Sequence, residues 1–345
     1  MARPDLTVMG AGIFGLAVGW AAARRGARVR VIEKTRVGAG ASGGLVGALA
    51  PHVPEQWNEK KAFQLESLLM AKDWWAEVEA ASGLASGYAR LGRLQPLPDA
   101  RAVAAARARG VEAAVLWQGQ ASWDVVAARG DWAPNCASGW MIRDTLTARL
   151  HPRMAGAALV AAIRSRAGEV VVGEAGQEGP VVWATGVAGL QALSAEVGHS
   201  VGGAVKGQAM LLDYDARDRP QIFAEGLHIV PHADGTLAVG STSERVWTDD
   251  ATTDAELDAL LDRAILLMPQ IAGARVLERW AGLRPRAASR APMLGAWPGR
   301  EGQFVANGGF KIGFGMAPKV GEAMADLVLD GRDVIPEEFK VAASL

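Results

Sequence analysis

A single cysteine, Cys136, in 345 residues leaves the chain without an internal disulfide or a thiolate metal cluster. As a small apolar side chain it is expected in the interior. Neither sign of charge is in excess: 36 Lys and Arg against 37 Asp and Glu give a formal net charge of −1. Such a balance offers no electrostatic footprint for nucleic acid or for an anionic membrane. No uninterrupted apolar run approaches the roughly 20 residues of a bilayer-spanning helix. No Ser-His-Asp set, acid/base carboxylate pair or metal-ligand cluster stands out. Tyrosine is scarce, two against twelve tryptophans, and the indoles are read as core and interface packing. What the chain does have is apolar bulk. With 50% hydrophobic and 21% charged residues over this length, it exceeds what one core usually fills, so two domains sharing an interface are expected.

The strongest positive signal is the order of motifs near the start. Asp5-Leu6-Thr7-Val8-Met9 is a short apolar run, and Gly10-Ala11-Gly12-Ile13-Phe14-Gly15 follows at once as a G-x-G-x-x-G. Gly10 permits a tight turn, Gly12 lets backbone amides approach a pyrophosphate, and Gly15 allows a helix to pack close on the strand. The phosphates are expected at that helix N-terminus, where free N–H groups and the dipole favour anions. The helix is read over 13–25, closed by Gly26. A second strand over 28–32 ends in Glu33, placed to accept hydrogen bonds from a ribose. Residues 1–23 also contain the ingredients of a secretory signal. Asp5 in the basic region and Arg24-Arg25 directly after the apolar run argue against export, and a cytoplasmic setting is expected.

Lys34-Thr35-Arg36-Val37-Gly38-Ala39-Gly40-Ala41-Ser42-Gly43-Gly44 reads as a loop against a ligand, a second phosphate and ring contact. Ser42 is expected to cap a short helix over 42–49 that Pro51 ends. Residues 62–81 carry a wide helical apolar face. The stretch 83–139 is irregular, with a strand near 90–94, a helix over 98–109 and a strand near 113–117, and is read as an inserted part of a second domain. A helix is expected over 142–154 and extended segments at 157–163 and 169–173. A buried parallel strand at 181–183 turns at Ala184-Thr185-Gly186. Closely spaced strands at 206–212, 227–231 and 236–240 indicate an antiparallel sheet. Thr253-Asp254-Ala255-Glu256 reads as a capping box opening a helix to about 268, before a strand at 275–280. A strand at 303–306 then feeds a glycine loop over 307–316. A last helix is expected from Ala317-Pro318 to 329, stopped by Gly331.

Six blocks in this order resemble the FAD-dependent D-amino-acid oxidase superfamily, in its glycine oxidase and sarcosine oxidase branch. They are Gly10 to Gly15 with Glu33; Gly40 to Gly43 leading to Leu49-Ala50-Pro51; Ala184-Thr185-Gly186; Lys206-Gly207-Gln208; Ile229-Val230-Pro231 with Gly240-Ser241-Thr242; and Gly282-Leu283-Arg284-Pro285 with Gly308 to Pro318. The resemblance implies an α/β fold with a Rossmann-like FAD-binding domain and a substrate domain built on a mainly antiparallel sheet. The FAD domain would be discontinuous (1–82, 140–200 and 281–345), with 83–139 and 201–280 forming the substrate domain. It implies that Glu33 binds the adenosine ribose, Gly12, Ile13, Phe14 and Gly15 the pyrophosphate, and Ser42 with Gly43 the flavin side. Ile312, Gly313, Phe314, Gly315 and Met316 would meet the isoalloxazine. Gly10, Lys34, Ala41, Ile163, Ala184, Thr185, Gly186 and Gly309 complete the implied cofactor set. Arg284 would clamp a substrate carboxylate, since a guanidinium fork is bidentate and permanently charged. Two positions depart from the branch: Lys311 stands for a second arginine and His228 for a substrate-site tyrosine. His52 is read as a loop residue without a role. The usual aspartate after the arginine block is also missing, Ser289 or Arg290 falling there.

The activity implied is FAD-dependent oxidation of a small amino acid or secondary amine, with dioxygen or another acceptor reoxidising the flavin. Two rivals stay open on the residues alone. One is a tRNA-modifying oxidoreductase of the same superfamily, which needs a basic surface that the net charge does not suggest. The other is a flavin-binding protein without turnover, or an NAD dehydrogenase sharing only the first motif. Substrate, acceptor and oligomeric state are not written in the residues.

Overall fold

The computed structural model describes residues 3–345. The chain opens as expected: β1 (Leu6–Met9), α1 (Ile13–Arg24) and β2 (Val29–Glu33). Gly26, at φ +88°, turns the chain out of α1. The short helix expected at 42–49 is not formed. A single 3-10 turn at Ala41–Gly43 gives way to extended chain and to β3 (Ala48–Leu49). The Ser42 hydroxyl accepts a hydrogen bond from the Ile13 N–H instead of capping its own segment, and Gly47 lies so close to the Leu150 carbonyl that a Cβ would come within 1.9 Å.

Then follow α2 (Glu59–Ser82), β4 (Arg93–Pro96), α3 (Ala100–Leu116), β5 (Trp123–Ala127), β6 (Trp140–Asp144), β7 (Ala148–Arg149) and α4 (Pro152–Ser165). Three expectations fail here. The strand near 113–117 is the end of α3, with Ala113 and Trp117 buried one turn apart. The helix expected at 142–154 is β6, β7 and their connection; Ile142, Leu146 and Leu150 are all buried and imitate a helical face by their spacing. The helix begins later, at Pro152 behind the His151 cap, and contains the segment expected to be extended. Ala155, Ala158, Leu159 and Ala162 form its buried stripe.

The remainder is β8 (Glu169–Val172), β9 (Val181–Trp183), α5 (Gly186–Val197), β10 (Gly202–Asp213), β11 (Gln221–Ala224), β12 (Leu227–Pro231), β13 (Thr236–Gly240), α6 (Ala255–Leu267), β14 (Arg275–Ala287), β15 (Met293–Ala296), β16 (Gln303–Asn307) and α7 (Gly313–Asp330). The cap of α6 is Asp254, whose carboxylate accepts from the Glu256 N–H, and not Thr253. Helix α7 starts at Gly313, so Pro318 lies inside it. Residues of the expected loop are wound into its first turn, where Gly315 packs against Leu68 and Leu49.

Two main sheets result. The first has six strands in the order β15-β16-β9-β1-β2-β8, parallel except for β15 against β16. This is an α/β sheet, with α1, α4 and α7 burying apolar faces in the core around it. The second has eight strands in the order β14-β10-β13-β12-β11-β4-β6-β5, antiparallel except for β4 beside β11. Its outer face packs on α6 through Met210, Leu212, Ile229 and Leu237. The antiparallel reading of 206–240 and the parallel reading of β9 both hold. Among the described residues no helix is long and apolar enough to cross a membrane.

The turn between β1 and α1 depends on two missing side chains. A Cβ on Gly15 would lie 1.9 Å from the Gly10 carbonyl oxygen, and one on Gly10 would lie 2.6 Å from the Ala184 oxygen. Replacement Gly15→Ala is therefore expected to destabilise the chain by about 1–3 kcal/mol, overpacking outweighing the gain in helix propensity. Urea unfolding checks this; a variant as stable as the parent would contradict the close strand-to-helix contact.

Candidate active site

The glycine turn sets the site's first wall. Gly12 caps α1 without a side chain of its own, so the cap comes from afar: Ser42 Oγ accepts the Ile13 N–H at 2.9 Å. At the end of β2, Glu33 is folded back on the turn. One carboxylate oxygen accepts the Ala11 N–H at 2.9 Å and the other the Thr35 N–H at 3.2 Å. Lys34 beside it is exposed.

The second glycine loop is hung from three elements. Asn307 donates to the Gly186 carbonyl at 2.8 Å and its side-chain oxygen accepts the Gly308 N–H at 2.8 Å. Phe310 N–H donates to the Pro285 carbonyl at 3.1 Å, which ties the loop to β14. Gly309 faces the Phe14 ring so closely that a Cβ would be 2.9 Å from Cζ. The loop then delivers Gly313, Phe314 and Gly315 as the first turn of α7, whose N–H groups have no partner within the helix. Gly313 sits against Ile13, 3.3 Å from Cβ position to Cγ2, so two helix N-termini lie side by side. Their dipoles add at one place.

Two cavities meet there. One, of about 830 Å³, runs along α4 past Arg36, Gly43, Arg153 and Arg164. The other, of about 240 Å³, lies between the α7 N-terminus and the inner face of the eight-stranded sheet. Ile13, Ser42, Pro152 and Phe314 line both, so they form one bent groove with the α1 N-terminus at the bend. That shape fits a dinucleotide with a ring system at each end and a pyrophosphate between them.

The floor of the smaller cavity follows from strand register. Arg284 on β14 is opposite Val205 on β10, and residues two apart share a face. That face carries Gly207 and Ala209; Ala209 is opposite Gly240, Gly240 is opposite His228, and His228 is opposite Phe223. Gln221, two before Phe223, is beside Arg93. One row therefore runs Arg284, Gly207 and Ala209, Gly240, His228, Phe223, Arg93. Small residues make up its centre, with Arg284 lying over Gly207 and Val46 over Gly240, and a guanidinium stands at each end.

Arg284 is laid flat by the glycine: a Cβ on Gly207 would fall 1.9 Å from its Nη atoms. Nη1 donates to the Thr242 carbonyl at 3.2 Å. Thr242 is held in turn by Glu244, which also faces the buried Lys206. Burial lowers the Arg284 pKa to about 10, Glu244 acting the other way, and the group remains a cation at neutral pH. Lys311 rises from the second loop, its side chain over Phe310; burial first, then Arg284 and Arg286, lower its pKa. Arg93 pairs through Nε with Asp144 at 2.9 Å, both nearly solvent-free, and lies over Phe223. His228 is surrounded by cations. Burial, then Arg93, Lys311 and Arg284, push its pKa down to about 3, so the imidazole is neutral. Its Nδ1 is enclosed without a partner. The wall carries no Asp or Glu.

The structure brings Ile13, Ala41, Ser42, His228, Arg284, Lys311, Ile312, Gly313, Phe314 and Gly315 onto the cavity wall, and Gly43 onto the wall of the larger one. Gly10, Gly12, Phe14, Gly15 and Gly309 lie behind it as packing that permits the turns. Ala184 and Gly186 support the first and second loops, and Thr185 caps α5. Ile163 and Met316 are fully buried in the core, with their side chains away from both cavities. His52 contacts Gln64 rather than the cavity. Arg93, Phe223, Gln64 and Trp280 line the cavity unanticipated. Only sheet order brings Arg93, over a hundred residues from His228 in sequence, to that face.

A bent dinucleotide groove, two helix N-termini at its bend and a cationic trough against one end together make the site of a dinucleotide-dependent oxidoreductase. A match to the family described as DAO, FAD dependent oxidoreductase, spans residues 5–327; the chain belongs to this family and is an FAD-dependent oxidoreductase. It is similar to the glycine oxidase of Geobacillus kaustophilus strain HTA426, 27% identical over 369 residues that cover 94% of this chain and 93% of that protein. The glycine oxidase of Pseudomonas putida strain KT2440 is 34% identical over 132 residues, 38% of this chain and 36% of that one, so this match spans about a third of each. In fold, the crystal structure of the Geobacillus kaustophilus glycine oxidase superposes with a TM-score of 0.82 at 24% identity, covering 99% of both chains.

The enclosed imidazole has a consequence for stability. His228 titrates near pH 3 in the folded chain against an ordinary 6.5. Between these values the unfolded chain binds the extra proton, so stability falls as pH falls. His232, fully buried with a pKa also near 3, acts in the same sense. Urea unfolding at pH 7 and pH 5 should show a smaller loss for His228→Phe than for the parent; equal losses would mean that His228 is not held neutral.

Proposed function

We propose that the chain is a cytoplasmic enzyme that oxidises a small amino acid or secondary amine at its α-carbon. The carrying observation is Arg284, a buried guanidinium laid over Gly207, with Thr242 O as its acceptor, beside the α7 N-terminus. A guanidinium desolvated in this way is matched by a ligand carboxylate, which it binds through two parallel charge-assisted hydrogen bonds. The name of the glycine oxidase relatives supports the same reading.

Bound FAD supplies the hydride acceptor. The residues of the chain do the rest. Glu33 would hold the ribose end, the amides after Gly12 would meet the pyrophosphate, Ser42 and Gly43 would line the approach to the ring, and the amides of α7 would favour negative charge near it. Arg284 anchors the carboxylate and so fixes which face of the α-carbon is presented. Lys311 adds a second cation at the mouth. His228, neutral, offers a nitrogen that accepts or donates a hydrogen bond without adding charge. With FAD bound as the two-electron acceptor and the amine unprotonated, the α-carbon would be oxidised to an imine, which water would hydrolyse to an oxo acid and an amine or ammonia. Dioxygen or another acceptor takes the electrons onward.

In this reading the FAD-holding part draws on 1–82, 140–200 and 281–345 and the substrate part on 83–139 and 201–280, with β6 and all of 281–287 lending their strands to the substrate sheet.

Arg284→Ala should retain yellow flavin and raise the Michaelis constant of a carboxylate substrate by about 100-fold or more, the loss of two charge-assisted hydrogen bonds. Steady-state kinetics on the flavin-loaded protein measure this, and an unchanged constant would remove Arg284 from the substrate site.

A further inference from the structure

The trough has two cationic poles, and only one of them is used by a monocarboxylate. Arg284 leans from β14 over Gly207 of β10, and Arg93 leans from β4 over Phe223 of β11. Between the strands over which they lie are β13 and β12. Three strand spacings separate the two heads by roughly 14 Å. Both side chains line the cavity, with His228 between them in the register row. Arg93 gives only its Nε to Asp144, which leaves the Nη N–H groups on the cavity side. Of the small residues in the row between the poles, Ala209 lies on the cavity wall, whereas Gly207 is covered by the Arg284 guanidinium and Gly240 by Val46, 2.6 Å from its Cβ position.

We propose that Arg93 is a second anion-binding pole and that the substrate is an amino acid or secondary amine carrying two carboxylates. This deepens the amine-oxidation reading and rests on it. A bidentate guanidinium holds a carboxylate carbon on the order of 4 Å from its own central carbon. Subtracting this at both ends leaves roughly 6 Å between the two carboxylate carbons, the reach of four or five covalent bonds. Glutamate and an N-carboxymethyl glycine both have this span; glycine and sarcosine leave the edge of Arg93 not used by Asp144 without a ligand carboxylate. Asp144 orients the pole but does not neutralise the trough, because Arg284 and Lys311 have no carboxylate beside them on its wall. Lys311, above the floor, adds attraction for a dianion over a monoanion.

The test uses the FAD-loaded protein and ligands that it cannot oxidise. Glutarate and butyrate are titrated against the flavin spectrum, with the shift in unfolding temperature as a second readout. Glutarate is expected to bind at least about tenfold more tightly than butyrate, one charge-assisted contact being worth that much. In Arg93→Met the two should bind within about twofold of each other. Arg93→Lys, which keeps a cation beside Asp144, should restore part of the preference. Equal affinities in the parent, or a preference that survives Arg93→Met, overturn the second pole. The parent titration stands even where Arg93→Met does not fold. Anaerobic mixing with glycine, sarcosine, glutamate and iminodiacetate separates the two levels of the reading. Reduction of the flavin by the monocarboxylates alone sinks the dianion proposal and leaves amine oxidation intact; no reduction by any of them counts against amine oxidation itself.

Discussion

The arrangement rests on how closely α1 and α7 approach each other. Gly321 of α7 lies against the Ala17 carbonyl of α1, where a Cβ would be 2.6 Å from the oxygen. Gly309 meets Phe14 and Gly313 meets Ile13 in the same way. Helices packed this tightly at their first turns present their positive ends to one spot, and the opposing dipole ends are removed to the far side of the molecule. Arg25 at the end of α1 reinforces the pair, with ion contacts to Glu322 and Asp326 of α7. The result is that residues more than three hundred positions apart form one anion-attracting surface.

Against that surface the eight-stranded sheet contributes a different kind of specificity. Its inner face is sculpted by absence: glycine and alanine at the centre, cations at the rims, and a neutral histidine in between. Charge of one sign concentrated in a partly closed cavity raises the local attraction for anions, because little water is there to screen it. Burial first, and then the same field, keep His228 unprotonated. The ion network of Lys206, Glu244, Asp254 and Gln208 stands behind the wall, with Lys206 within 3.3 Å of Asp254 and Gln208 donating to Asp254 at 2.7 Å. It keeps the Thr242 carbonyl where Arg284 needs it.

Much of this was legible in the residues. The opening strand, glycine turn, helix and second strand were legible because they are local, with the spacing itself carrying the geometry. The antiparallel strands of 206–240 were readable for the same reason. What was misread lay where tertiary packing overrides period. Ile142, Leu146 and Leu150 repeat like a helix yet are buried in strands and their connection, since both faces there are covered. The start of α7 was set too late because glycines signal loop locally, whereas Gly313 and Gly315 are needed without side chains against Ile13 and Leu68. The Arg93 pole could not be read at all, for it exists only once β4 inserts beside β11.

The proposed reaction takes electrons from the α-carbon of an amino acid held in this trough to bound FAD. Anaerobic rapid mixing of the flavin-loaded protein with an amino-acid donor, unlabelled and deuterated at the α-carbon, tests it most directly. The yellow absorbance is expected to bleach, and deuterium to slow the bleaching. Absorbance that persists with every amine and amino acid offered, or bleaching at a rate indifferent to the label under conditions where chemistry is rate-limiting, would contradict it.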